Sequence, residues 1–132
     1  MVRPPAVALV VADDPGVRKF LRNVLSGVSY QVLEAVNESE ALRQMETAAV
    51  DLAILDLEMP EQDGVQNVKA LLRVRPQIKI IALSGQFGGL PEGAADRLGA
   101  HASVTKPMQP DELLNAVARV TVGSRAAEKS KL

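Results

Sequence analysis

Short apolar runs alternate along this chain with stretches whose apolar residues recur at helical spacing, and this alternation constrains the fold more than any other feature. The strand-like runs cover residues 6–12, 30–35, 50–55, 78–83 and 102–105. A run that is apolar throughout, such as residues 6–12 (AVALVVA), is typical of a strand covered on both faces. The stretches between the runs place apolar residues at i, i+3, i+4 and i+7, which indicates amphipathic helices.

The sequence predicts some of the helices more strongly than others. Pro15 lies near the first turn of the first predicted helix, and Pro110 lies at a plausible start of the last one. The segment 85–99 is rich in glycine, and each interior glycine costs a helix about 1 kcal/mol relative to alanine. We therefore predict only a marginal helix there, at about residues 91–98.

Strands that alternate with helices imply a parallel sheet with helices on both faces. Right-handed crossover connections then restrict the topology to a doubly wound sheet. We predict an α/β fold with a doubly wound, five-stranded parallel sheet in one domain, residues 1–122. The polar and charged residues 123–132 are predicted to be a C-terminal tail or a truncated linker.

Composition excludes several classes of function. The chain has no cysteine, which excludes disulfides and thiolate metal sites, and one histidine, His101, which argues against a zinc site. Its net charge of −1 provides no basic field for nucleic acid. The longest apolar runs are about seven residues, far short of the ~20 that span a membrane, and the N-terminus lacks the apolar core of a signal peptide. We expect a cytoplasmic monomer or weak dimer that binds neither nucleic acid nor membrane.

Polar or charged residues follow four of the five predicted strands. These residues are Asp13 and Asp14 after the first strand, Asp56 after the third, Ser84 after the fourth and Lys106 after the fifth. Open α/β sheets bind ligands at the carboxyl ends of their strands, so these side chains are expected to meet at one edge. Converging carboxylates with water suit Mg²⁺, while a lysine and a serine can contact a phosphoryl group. The pattern indicates a phosphoryl-transfer site with an aspartate nucleophile.

Each of these residues taken singly also has an ordinary structural interpretation. Asp13 or Asp14 could cap the helix that follows, Asp56 could be a turn residue and Lys106 a solvated charge. Their joint occurrence, each at the end of its own predicted strand, favours the phosphoryl-transfer site.

Five pieces of the sequence resemble, in order and spacing, the response-regulator receiver domain of two-component signal transduction, of the chemotaxis-receiver type. They are residues 10–15 (VVADDP) with Arg18, residues 51–60 (DLAILDLEMP) with Asp63-Gly64, residues 82–85 (ALSG), residues 98–100 (LGA) and Lys106-Pro107. The resemblance covers residues 6 to about 122. It implies the flavodoxin-like strand order 2-1-3-4-5.

The resemblance also implies a role for each matching residue. Asp56 would be the phosphoacceptor, whose carboxylate attacks a phosphohistidine of a histidine kinase or of a histidine phosphotransfer protein. Mg²⁺ would be held by the carboxylates of Asp13 and Asp56 and by the backbone carbonyl of Glu58. Ser84 and Lys106 would contact the phosphoryl oxygens.

The same resemblance implies a switch. Pro107, after the lysine, is a candidate cis-proline. Phosphorylation would reshape the face made by the predicted helix at 91–98, the strand at 102–105 and the last helix. This face would act on a downstream protein target or on an effector domain missing from this chain.

Three residues depart from the family pattern. Ala12 takes the first of two consecutive acidic positions and Asp13 the second; Asp14 could compensate as a metal ligand if the strand end shifts by one residue. Ser103 occupies the switch position where the family usually has tyrosine or phenylalanine, and Glu58 adds an acid beside the phosphoryl site. Without the aromatic residue, we expect phosphorylation to act by ordering the glycine-rich segment 85–99.

Three hypotheses about function remain open at this point. The first is a working phosphoacceptor receiver, a signalling module rather than an enzyme. The second is a degenerate receiver that binds a partner without phosphorylation, which Ala12 and Ser103 favour slightly. The third is a phosphatase of the haloacid-dehalogenase type, which requires an aspartate two residues after the nucleophile; Glu58 is a poor substitute.

Overall fold

The computed structural model describes residues 6–59, 64–85 and 99–130, and these contain five strands and four helices. The strands are β1 (Val7–Val11), β2 (Gln31–Ala35), β3 (Leu52–Asp56), β4 (Lys79–Ser84) and β5 (Ala102–Thr105). The helices are α1 (Pro15–Ser26), α2 (Glu38–Thr47), α3 (Gly64–Val74) and α4 (Pro110–Ser130). The marginal helix predicted at about residues 91–98 lies outside the described residues, as does most of the glycine-rich segment 85–99.

The strands form one parallel sheet in the order β2-β1-β3-β4-β5. This confirms the predicted α/β class, the five parallel strands and the strand order. In the register of the sheet, Val11 lies opposite Leu55 and Asp56 lies opposite Leu83. The carboxyl ends of β1, β3 and β4 therefore meet at one edge.

The core consists of two apolar layers, one on each face of the sheet, because successive strand residues point to opposite faces. The layer beneath α2 and α3 includes Leu9, Val11, Leu55, Ala82, Ala41, Val68 and Leu71. The layer beneath α1 and α4 includes Val10, Ile54, Leu83, Val104, Leu21, Leu25 and Leu113. The central strand β3 is buried along its whole length, which explains why its sequence is apolar without alternation.

Polar side chains satisfy the free backbone donors at the start of two helices. Oδ1 of Asp14 accepts a hydrogen bond from the backbone N–H of Gly16 at 2.7 Å and caps α1. Oδ1 of Asn37 accepts from the N–H of Glu40 at 2.9 Å and caps α2. These caps fix where the chain leaves β1 and β2 at the edge that carries the predicted site.

The last helix is longer than the sequence pattern suggested. α4 continues to Ser130, through most of the segment 123–132 predicted as a tail or linker. Alanine, glutamate, lysine and arginine are good helix formers, but the charged residues among them also occur in solvated tails and so conceal the helix. The domain boundary at residue 122 stays a prediction. No helix in the described part of the chain combines the length and the apolar character needed to cross a membrane.

His101 completes the pairing of β4 with β5 just before β5 begins. Its backbone N–H donates to the carbonyl of Ile80 at 2.7 Å, and its ring Nδ1 accepts from the backbone N–H of Ile80 at 3.1 Å. Burial and, secondarily, the positive charge of Lys79 lower the pKa of His101 below 6.5. The bond to Ile80 requires an unprotonated Nδ1, so the geometry and the lowered pKa both favour the neutral ring.

We expect the stability contribution of His101 to depend on pH. The unfolded chain takes up the proton at a higher pH than the folded protein does. The contribution is therefore complete above the unfolded pKa of about 6.5 and is lost as the pH falls through the lowered folded pKa. Urea unfolding at about pH 7.5 and about pH 5.5, on either side of the ordinary histidine pKa, should show a lower free energy of unfolding at the acidic pH.

The matched control is His101→Asn, whose Oδ1 can still accept from Ile80 but does not titrate in this range. Its free energy of unfolding should change less between the two pH values than that of the parent protein. An equal change in both proteins would show that His101 is not the responsible group.

Candidate functional site

Asp56 lies at the centre of the carboxyl edge of the sheet, as the last residue of β3. Its side chain is only 2% exposed. Nζ of Lys106 donates to both of its carboxylate oxygens, at 3.1 Å to Oδ1 and 3.0 Å to Oδ2. Oδ1 also accepts from the backbone N–H of Glu58 at 2.9 Å. A buried carboxylate with this set of donors is a preorganised anion whose counter-charge comes from a distant part of the sequence.

The sheet register explains how Lys106 reaches Asp56. Asp56 is level with Leu83 of β4, and Leu83 is level with Val104 of β5. Lys106 lies two residues beyond Val104 and so points to the same face. Its side chain crosses the end of β4 and stays 25% exposed, with the ammonium group on the Asp56 carboxylate.

Ser84 is brought to the same edge as the last residue of β4. It is 7% exposed, and it lies one residue beyond Leu83, the residue level with Asp56. Its carbonyl accepts from the backbone N–H of Lys106 at 2.8 Å, which continues the pairing of β4 with the chain past β5. The structure therefore places Ser84 at the same sheet edge as Asp56, with its backbone bonded to that of Lys106.

Glu58 contributes a second carboxylate beside Lys106. Its Oε1 lies 3.8 Å from Nζ of Lys106, and its side chain is 46% exposed. The carboxylate also lies directly over Gly85, so that a Cβ at that position would collide with it. An additional acid beside the site was predictable from the sequence. The role of Gly85 was missed, although a glycine next to a strand is a signal of close approach.

The end of β1 carries Ala12, one of the three residues that depart from the family pattern. Since Val11 pairs with Leu55, Ala12 is level with Asp56, and Ala12 is completely buried. Asp13 follows it with an exposed side chain. The carboxylate of Asp14 caps α1, which is a structural role distinct from the metal ligation considered for it.

Two further predicted positions lie around β5. The peptide bond between Lys106 and Pro107 is cis, at the position of the cis-proline candidate. Ser103 is exposed on β5, where it lines a shallow surface depression together with Arg119. The switch position thus presents a small polar side chain at the surface.

The donor chemistry of this edge fits Mg²⁺. Asp13 and Asp56 offer carboxylate oxygens and Glu58 offers a backbone carbonyl, and all of these are hard ligands. Among the residues that the structure describes, no group of three or more histidine, cysteine, aspartate or glutamate side chains could hold a metal ion. With two carboxylates and one backbone carbonyl from the protein, a magnesium ion bound here would keep several waters in its coordination shell.

The chain is similar in sequence to a known domain family and to several characterised proteins. Residues 8–118 match the family model of the response regulator receiver domain. The transcriptional regulatory protein GlrR of Escherichia coli K12 is 37% identical over 118 residues, which cover 89% of this chain and 26% of that protein. The chemotaxis protein CheY of Thermotoga maritima is 29% identical over 114 residues, which cover 86% of this chain and 95% of CheY.

The fold is also similar to that of solved structures. The structure of the chemotaxis response regulator CheY4 of Vibrio cholerae matches with a TM-score of 0.78 at 28% identity, over 88% of this chain and 98% of CheY4. The chain is thus similar to nearly the whole of the CheY proteins. It spans only 26% of the length of GlrR.

The Asp56–Lys106 pair leads to a stability prediction. Lys106→Met should lower the free energy of unfolding by about 1–3 kcal/mol, because it leaves a buried carboxylate without its cation. Urea unfolding measures this loss. The double variant Asp56→Asn with Lys106→Met should recover part of it, since the unpaired charge is then removed as well. Purely additive effects of the two substitutions would contradict the direct pairing.

Proposed function

Because this chain belongs to the response regulator receiver domain family, we propose that it accepts a phosphoryl group on Asp56 from a phosphohistidine. The family works in phosphorelay signalling, and the donor would be a histidine kinase or a histidine phosphotransfer protein. The observation that carries the proposal is the buried Asp56 carboxylate with the Lys106 ammonium group on both of its oxygens.

The chemistry follows from this pair. A carboxylate oxygen of Asp56 attacks phosphorus and forms an acyl phosphate, while the phosphorus–nitrogen bond breaks and its electron pair stays on the imidazole. Lys106 neutralises the carboxylate before transfer and can neutralise a phosphoryl oxygen afterwards. The hydroxyl of Ser84, at the same edge, can donate to another phosphoryl oxygen. The protein is then a signalling module with no metabolite to turn over.

Mg²⁺ is the cofactor that we propose for this site. The carboxylates of Asp13 and Asp56 and the backbone carbonyl of Glu58 would hold it. The ion would offset the negative charge on the phosphoryl oxygens during transfer. Ala12 supplies no carboxylate, so we expect the affinity for Mg²⁺ to be low.

The output would pass through the surface around β5. Phosphorylation would bias the face formed by residues 91–98, β5 and α4 between two arrangements. We propose that this face acts on a downstream protein or on an attached effector domain in the cytoplasm.

Two observations favour a second candidate function. Ala12 is buried beside Asp56 where an acid is usual, and Ser103 presents no aromatic side chain. A chain that had lost phosphorylation could still serve as a protein-interaction module. The Asp56–Lys106 pair supports the phosphoacceptor function over this alternative.

Phosphorylation should depend on Asp56. Incubation with acetyl phosphate and Mg²⁺, followed by intact-mass analysis, should show one phosphoryl adduct on the parent protein and none on Asp56→Asn, which keeps the shape but loses the nucleophile. An adduct of equal yield on the variant would refute the assignment of Asp56. A parent protein that stays unlabelled would support the interaction module, and rapid release of phosphate would support a phosphatase.

Metal binding should depend on Asp13 and not on Asp14. Asp13→Asn should abolish Mg²⁺-dependent labelling and weaken Mg²⁺ binding in calorimetry or NMR titration; the chain has no tryptophan to report binding by fluorescence. Asp14→Asn is the matched control, because asparagine is an equally good helix cap and α1 should stay intact. The opposite result for the two variants would make Asp14 the ligand.

A further inference from the structure

Arg18 holds the backbone carbonyls on both sides of Asp13. Its backbone N–H donates to the carbonyl of Asp14 at 3.1 Å, as part of the first turn of α1. Its guanidinium Nη1 turns back and donates to the carbonyl of Ala12 at 2.7 Å. The N–H of Ala12 is also bound, to the carbonyl of Ala35 at 3.1 Å. The backbone that carries Asp13 is therefore fixed at both of its neighbours by one residue.

The guanidinium group of Arg18 is itself held in place from β2. Its Nε lies 3.5 Å from Oε1 of Glu34, and Nη1 of Arg22, one turn further along α1, lies 2.8 Å from Oε2 of the same carboxylate. The side chain of Arg18 is only 17% exposed, whereas that of Arg22 is 44% exposed. A chain of contacts thus runs from β2 through Glu34 and Arg18 to the loop at the end of β1.

This support matters more in this chain because other acids at the end of β1 are missing or engaged. Ala12 has no carboxylate, and Oδ1 of Asp14 is bound to the cap of α1. The contribution of this loop to a metal site therefore depends on where Asp13 is placed. A misplaced Asp13 has no neighbour to replace it.

We infer that Arg18 is a positioning residue for Mg²⁺ binding, because it holds the backbone of Asp13 in the conformation that presents the carboxylate to the metal; the inference rests on the proposed function. The guanidinium group of Arg18 is engaged by Ala12 and Glu34, so Arg18 is not proposed as a ligand of the metal or of the phosphoryl group. Its effect on phosphorylation should therefore appear in the Mg²⁺ requirement and not in the chemistry at saturating Mg²⁺. Supporting groups of this kind typically change metal affinity by about 10–100-fold.

The test compares Arg18→Gln with the matched control Arg22→Gln. Both variants remove one arginine from Glu34, but only the first removes the bond to the carbonyl of Ala12. Calorimetry or NMR titration with MgCl₂ should show about tenfold weaker binding for Arg18→Gln and unchanged binding for Arg22→Gln. Labelling by acetyl phosphate should need more Mg²⁺ for half-saturation in Arg18→Gln and should reach the parent rate at saturating Mg²⁺.

A purely structural effect of Arg18 would give a different result. It would lower the melting temperature and the labelling rate at every Mg²⁺ concentration without a selective change in Mg²⁺ affinity. If Arg18→Gln does not fold, Arg18→Lys provides the second variant; it keeps the charge but lacks the planar fork that spans Ala12 and Glu34, and it should weaken Mg²⁺ binding in the same direction.

The outcomes separate this inference from the proposed function. Equal Mg²⁺ affinities for the parent protein and both Arg18 variants, or equal losses for the Arg18 and Arg22 variants, would overturn the role of Arg18 alone. A parent protein that binds no Mg²⁺ would overturn the proposed metal site, and the role of Arg18 with it. Labelling of Asp56→Asn at the parent yield would refute the phosphoacceptor without changing the affinity comparison.

Discussion

The ion pair between Asp56 and Lys106 is the interaction on which the arrangement of this site depends. A carboxylate that is 2% exposed is costly to bury, and its burial is tolerated only because a cation and a backbone N–H are directed at it. The cation comes from beyond β5 and the carboxylate from the end of β3, so the pair forms only when β4 lies between them in the correct register. A slip of one residue would turn Lys106 to the opposite face of the sheet. The functional geometry is therefore a direct consequence of strand pairing.

The ammonium group of Lys106 is shared by two carboxylates, and this sharing determines the net charge at the carboxyl edge of the sheet. Asp56 holds the ammonium group at 3.0 Å, and Glu58 approaches it to 3.8 Å. Asp13 adds a further negative charge after β1. One lysine among these acids leaves an excess of negative charge, which suits the binding of a divalent cation before a phosphoryl group arrives. The buried Ala12 contributes no charge at the end of β1, whereas Glu58 adds a negative charge beside Lys106.

Much of the fold was predictable because it depends on burial along the chain. The uninterrupted apolar residues of β3 indicated a strand with both faces covered, and Pro110 marked the first residue of α4. The acids and the lysine at the strand ends could be assigned to one edge, since parallel strands end together. Contacts between side chains and distant backbone were not predictable. The turn of Arg18 back to Ala12, and the bond from Ile80 to the ring of His101, have no periodic pattern in the sequence. The extent of α4 was missed because charged helix formers resemble a solvated tail.

The contact between Glu58 and Gly85 has a consequence for how this sequence can change over generations. A side chain at position 85 would occupy the space that the Glu58 carboxylate now fills, and that carboxylate is the flexible end of its side chain. A first mutation at position 85 would therefore move the acid away from its present position beside Lys106. Conversely, a shorter residue at position 58 would leave room for a side chain at position 85. Positions 58 and 85, which lie 27 residues apart in the sequence, should therefore vary together among related sequences. The order in which the two positions mutate would determine the charge beside Lys106.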